Sequence, residues 1–127
     1  MAIVVWINSS TAPFLPDIMD RLKPYETRSR NMLGGLVGRR VIFAESSRGK
    51  RLARCSAVIR SVRAVYSWEE WDALRPLHRV PVGNKYDWRP GTRVKYLYEI
   101  TNLRRLRPFR VPTTGTPHGR TCFEYDE

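Results

Sequence analysis

A chain of 127 residues with a 42% hydrophobic share is the size of one ordinary domain and can bury a single core. Its formal net charge is +11, and 19 of its 23 basic residues are arginine, a side chain that forks onto phosphate and stacks on bases in ways lysine cannot, so an anionic partner is favoured. No run approaches the roughly 18 apolar residues of a membrane span, and the opening Met-Ala-Ile-Val-Val-Trp-Ile has neither a basic leader nor a cleavage site, so a cytoplasmic protein away from membranes is expected.

Ile3 to Ile7 is a short apolar run that fits a buried strand. The polar Asn8-Ser9-Ser10-Thr11 can cap a helix that begins near Pro13, with Phe14, Ile18 and Leu22 on one stripe and Leu15 and Met19 beside them. Pro24 should end it, because the residue before proline is pushed out of helical angles. Tyr25 to Arg30 alternates as a strand, with Glu26, Arg28 and Arg30 on a charged face that needs water or a ligand. Gly34, Gly35 and Gly38 punctuate a loop. Arg40 to Ala44 is a second β-rich run, Ser46 to Arg51 a polar basic turn, and Ala53 to Tyr66 the longest strand candidate.

Ser67 and Glu70 match a capping box, and Trp68, Trp71 and Leu74 follow at helical spacing until Pro76. Leu77 to Pro90, with its prolines, His78, Tyr86 and Trp88, reads as a long excursion over the surface, of the kind that is often functional. Strand character resumes from Thr92 to Leu106, Pro108 to Gly119 reads as an extended tail, and Arg120 to Tyr125 as a last short strand. The order β, α, then mostly β predicts an α+β domain whose curved sheet or small barrel is plugged by one or two helices. Cys55 and Cys122 lie 67 residues apart with no Cys or His neighbour at ligand spacing, which gives no zinc motif, and no metal or other cofactor is expected.

The segment Lys23-Pro24-Tyr25-Glu26-Thr27-Arg28 resembles the Lys-x-x-Glu-x-Arg signature of ASCH domains in the PUA-like superfamily. The surrounding order resembles that family too. A first strand and helix lead into the motif, a Gly-x-Arg-Val-type strand follows at Gly38 to Phe43, and Tyr96 to Asn102 precedes a basic stretch and Pro108. The resemblance touches most of the chain and implies one ASCH-like domain over residues 1–127: a mixed β-barrel of five or six strands with two or more flanking helices. It also implies a cleft beside the first helix that takes nucleic acid.

On that resemblance Lys23, Glu26 and Arg28 line the cleft. Lys23 and Arg28 can neutralise phosphate, and Glu26 can accept from a base amino group; on a solvated strand face Glu26 would merely pair with Arg28 or Arg30. Ser9 stands before a helix start, where backbone N–H groups favour an anion or simply receive a cap. Ser47, Arg48, Lys50 and Arg51 combine a hydroxyl with three cations, a composition suited to phosphates. Trp6, Trp68 and Trp71 sit in apolar patterns and read as core, whereas Trp88, flanked by Lys85 and Arg89, is the stacking candidate. Arg104 and Arg105, with Arg107 and Arg110, offer a track for a phosphate backbone or a solvated edge that discourages aggregation.

The expected function is binding of RNA or single-stranded nucleic acid through a basic cleft that holds a flipped or modified base. The alternative is hydrolysis. Some bacterial ASCH proteins that this sequence resembles cleave an acetyl amide on modified cytidine with a lysine and a threonine from the strand motif; Glu26 falls on that threonine position and cannot serve as the hydroxyl nucleophile. Thr27 stands beside it, and Lys23 with Glu69 or Glu70 could run a changed amide hydrolysis. In a metal-free ribonuclease, Lys23, Glu26 and Arg28 would be acid, base and phosphate clamp. A protein adaptor whose basic face meets an acidic partner is the reading from another class.

Overall fold

The computed structural model describes residues 2–46 and 51–111, together with the backbone of 122–125. Strand β1 (Ala2–Ile7) has Ile3, Val4, Val5 and Ile7 all buried, so both its faces are covered, as a continuous apolar run demands. It lies parallel to β3 (Arg40–Glu45) and antiparallel to β6 (Cys122–Tyr125).

Helix α1 (Phe14–Met19) buries Phe14, Leu15, Ile18 and Met19. It is shorter than its apolar spacing predicts. Arg21 turns left-handed at φ 60°, and the amides of Leu22 and Lys23 fold back onto the Asp17 carbonyl, which closes the helix and leaves Leu22 49% exposed rather than on the core stripe. Strand β2 (Tyr25–Arg28) follows and pairs antiparallel with β5 (Lys95–Arg110); Arg30 falls beyond its end and is exposed.

A 3-10 turn over Gly34–Leu36 leads to Gly38. Gly38 has φ +86° and donates its amide to the Ile59 carbonyl at 2.6 Å, a left-handed conformation that glycine reaches without strain. Strands β4 (Leu52–Val65) and β5 form the long antiparallel pair at the centre of the sheet. Between them, α2 (Trp68–Ala73) starts at the predicted cap, with the Ser67 hydroxyl accepting from the Glu70 amide at 3.2 Å. Pro76 does not simply stop a helix. It sits in the first turn of a further short helix, α3 (Arg75–His78), where a missing N–H costs nothing.

The sheet has six strands in the order β2-β5-β4-β3-β1-β6, a mixed sheet with its helices between and beside the strands. Among the described residues no hydrogen-bonded ladder joins β2 back to the far end, so the sheet is open where the sequence led us to expect a barrel. It nevertheless curls strongly: the Arg28 guanidinium of β2, the first strand in the order, donates to the Trp6 carbonyl of β1, the fifth, at 2.9 Å. The main core fills this concavity. A smaller cluster of Val4, Ile42, Ala44, Ala53 and Val111, with Trp6 packed on it, is separate. No helix among the described residues is long and apolar enough to cross a membrane.

Candidate functional site

The gap between β1 and β2 opens into a cavity of about 380 Å³, lined by the end of β1, by Lys23 and β2, and by Lys85, Tyr86 and Lys95 from beyond α3. That volume is in the range of small-molecule sites, roughly 300–1,000 Å³. The strand alternation explains what faces it. Glu26 and Arg28 stand on the inward side of β2, so the charged face turns into the cavity instead of into water; Glu26 is only 6% exposed.

Lys23 is 1% exposed. Its ammonium donates to the His78 carbonyl, lies 3.9 Å from Glu26 Oε1 and sits 5.1 Å from the Phe14 ring centroid. Burial lowers its pKa to about 8, against the opposing pull of the Glu26 carboxylate, because removing a charge from water favours the neutral amine. Glu26 Oε1 accepts the Thr27 amide at 2.8 Å and Oε2 accepts from Arg28 Nη2 at 3.4 Å. One carboxylate thus serves both cations. Arg28 Nε is buried without a hydrogen-bond acceptor.

Residues 75–95, expected as a surface excursion, hold a buried polar network. Trp71 Nε1 donates to Asp87 Oδ1 at 2.7 Å, and Arg75 Nη1 donates to the same oxygen at 3.1 Å and to the Val80 carbonyl at 2.6 Å. Burial alone would raise the Asp87 pKa, but donors from Trp71, Gly83, Trp88 and Arg75 outweigh it and bring it down to about 2. His78 is fully buried and stacks on Trp71 with centroids 3.8 Å apart. Its Nδ1 accepts the Val80 amide at 3.0 Å, so Nε2 carries the proton and donates to the Trp71 carbonyl at 2.9 Å. Burial lowers its pKa to about 4. The loop is a braced wall, and the His78 carbonyl that it presents is the one Lys23 grips.

Lys95 is 8% exposed and donates to the Tyr86 carbonyl at 3.0 Å; burial lowers its pKa too. The Tyr86 ring meets Phe14 edge-on at 5.9 Å, and the exposed Lys85 ammonium lies 5.6 Å from the Tyr86 centroid. Lys85, Tyr86 and Lys95 were not among the residues singled out from the sequence. The only signal for them was a cation beside an aromatic in a polar loop, and that reading settled on Trp88.

The other expected site residues are dispersed. Trp88 is half-buried, packs against the core with its ring 6.5 Å from Trp71, and does not line the cavity. The Ser9 hydroxyl accepts the Leu15 amide at 3.0 Å and its own amide donates to Glu45, so it caps rather than lines; its neighbour Asn8 lines the cavity. Thr27, although adjacent to Glu26 on the strand, also lines it, as does Ser29. Glu70 pairs with Arg63 at 2.7 Å and Glu69 is exposed on α2; neither reaches the cavity, and the carboxylate beside Lys23 is Glu26. Arg30, Arg51 and Arg104 are exposed, and Arg105 pairs with Asp20 at 2.6 Å. Ser47, Arg48 and Lys50 lie outside the described residues.

No protein-family model matches the sequence, and no curated protein does. Solved structures do match. An ASCH protein from Zymomonas mobilis superposes with a TM-score of 0.77 at 13% identity, over 99% of this chain and 88% of that one. A tyrosine-to-phenylalanine mutant and a serine-to-alanine mutant of the same protein also give 0.77, at 12% and 14% identity, over 99% of this chain and 91% and 89% of theirs. With β1, α1, the Lys23–Arg28 strand and the long β4–β5 pair in the same spatial arrangement over nearly its whole length, the chain has the fold of the ASCH domain.

Proposed function

We propose that this chain binds single-stranded nucleic acid, RNA in particular, and seats one nucleotide unit in the cavity between β1 and β2. The observation that carries this reading is the cavity's composition: four cations, Lys23, Arg28, Lys85 and Lys95, a single carboxylate, Glu26, and the Tyr86 ring. Cations meet phosphate, the carboxylate accepts from a base edge, and an aromatic offers a stacking face to an extruded or modified base. A duplex cannot enter a space of this size, which favours single strands. The likeness to ASCH structures supports the same direction.

Binding of fluorescent single-stranded RNA, matched DNA and duplex across a salt series tests it. Single-stranded RNA should bind most tightly, and Glu26→Ala and Arg28→Ala should each weaken it by at least ten-fold. Equal, weak binding to all three, indifferent to both substitutions, would reject the cavity as the site and leave charge as a surface property.

One observation favours a second reading, hydrolysis of RNA or of a modified nucleoside. Lys23, with a pKa of about 8, can exchange a proton near neutral pH, and Glu26 stands 3.9 Å away with the Thr27 and Ser29 hydroxyls on the same wall. Product that accumulates in the binding assay with wild type and not with Lys23→Met would support it; intact substrate after prolonged incubation would leave the binding reading alone.

A further inference from the structure

The cavity's hydrogen-bonding capacity is lopsided. Each of its lysines has three N–H donors; Lys23 spends one on the His78 carbonyl and Lys95 one on the Tyr86 carbonyl. Lys85 engages the Tyr86 ring and no carboxylate within ion-pair distance. Arg28 spends Nη2 on Trp6 and Glu26, while its buried Nε has no acceptor at all. On the acceptor side both Glu26 oxygens already receive a donor, and Asn8 Oδ1 receives the Ser10 amide. What is left over is therefore mostly donors and an excess of three positive charges, four cations less one carboxylate.

A neutral base answers neither excess, and a phosphodiester carries a single charge. A phosphomonoester carries about −1.5 to −2 charges at pH 7 and three strong acceptor oxygens. Resting on the nucleic-acid reading above, we propose that the cavity recognises a terminal phosphomonoester, at the end of a single strand or on a free nucleoside monophosphate, clamped by Arg28 Nε, Lys85 and Lys95 with the attached sugar and base against Tyr86. The Arg28 guanidinium is pre-set for this. Its Nη2 is anchored on the Trp6 carbonyl, so Nε is held in place before the ligand arrives, and an anion supplies the acceptor that the buried group lacks.

The test is competition against one labelled single-stranded oligonucleotide made with a 5′-phosphate, a 3′-phosphate or hydroxyls at both ends, with nucleoside monophosphate, nucleoside and inorganic phosphate as competitors. One phosphorylated end should bind at least ten-fold more tightly than the hydroxyl-ended strand, and the monophosphate should compete where the nucleoside does not. Arg28→Lys, which keeps the charge and removes Nε, should erase most of that advantage. So should Lys85→Gln, at an exposed position where the fold does not depend on the side chain.

Equal affinity for all ends, with the cavity variants weakening them alike, overturns the inference and leaves nucleic-acid binding standing. A monophosphate that binds where no oligonucleotide does upholds the free-nucleotide form and rejects the strand-binding reading. Inorganic phosphate competing as well as the nucleotide means a non-selective anion site and overturns the inference, as does binding of none of these ligands, which also rejects the broader reading.

Discussion

The two ends of β5 carry the same sign of charge in opposite settings. Lys95, at the start of the strand, is 8% exposed, tied to the Tyr86 carbonyl and 5.5 Å from the Trp71 ring. Arg104, Arg107 and Arg110, towards the end, are exposed to water. A cation in water costs the fold nothing and is screened over about 10 Å at 0.1 M salt; a buried cation costs stability until something anionic meets it. The cavity end can therefore select a ligand, whereas the distal end can only attract one.

The sharpest way to break this contrast is to remove the brace behind the cavity wall. Trp71→Ala empties a fully buried site and strands Asp87, and should lower unfolding free energy by about 3–5 kcal/mol, read as a shift in urea midpoint. Next, Glu26→Ala leaves Lys23 buried without its carboxylate. Broken buried pairs cost about 3–5 kcal/mol, and because Lys23 can shed its proton the loss should fall near the lower figure; Glu26→Gln should recover part of it.

Titration separates the ends more finely. Lys23 has a folded pKa of about 8 against 10.5 for the ordinary side chain, so the unfolded chain binds more protons above pH 8 and stability should rise with pH there. Above pH 9 Cys55, whose thiol burial pushes from 9.0 up to about 11, acts in the opposite sense, so the rise should be clearest between pH 8 and 9 and absent in Lys23→Met. His78, lowered from 6.5 to about 4, makes stability fall as pH drops through that window, a slope that His78→Gln should remove. The smallest effect belongs to the distal arginines. Arg104→Ala and Arg107→Ala should each change stability by less than about 0.5 kcal/mol. Each that meets a phosphate should also reduce the salt slope of RNA binding by about 0.7.

What could be read from the sequence followed from strong local rules. The unbroken Ile3–Ile7 run, the Ser67–Glu70 cap and the β-branched course of β4 each stand as expected, and Lys23, Glu26 and Arg28 were singled out before any geometry was known. The misreadings share a cause: burial decided at long range. Trp68 was read with Trp71 on one core stripe, yet Trp68 is 50% exposed, because in a helix of six residues only one of the two rings can reach the core. The loop over residues 77–90 looks polar and exposed since His78 and Asp87 are polar; they are buried because Trp71, 16 residues before Asp87, supplies the partner. Lys95 reads as a strand's first surface residue until the Tyr86 carbonyl is placed over it. The terminal basic track was legible as composition, but not the capture of Arg105 by Asp20, a contact 85 residues apart in the chain.

Asn102 settles how that track is divided. It is left-handed, φ 51°, and lies where β5 advances from Thr101 to Arg104 while β4 advances only from Val58 to Ser56, three steps against two. An asparagine accepts this conformation more readily than most residues, and the extra residue reverses the side to which everything beyond it points. Deleting Asn102 would exchange the two flanks of the strand from Leu103 onward, so that Arg104 would point where Arg105 now meets Asp20. The arrangement of charge on this edge is a matter of parity rather than of composition, and two chains with equal arginine content but one residue more or less at this point would present opposite faces.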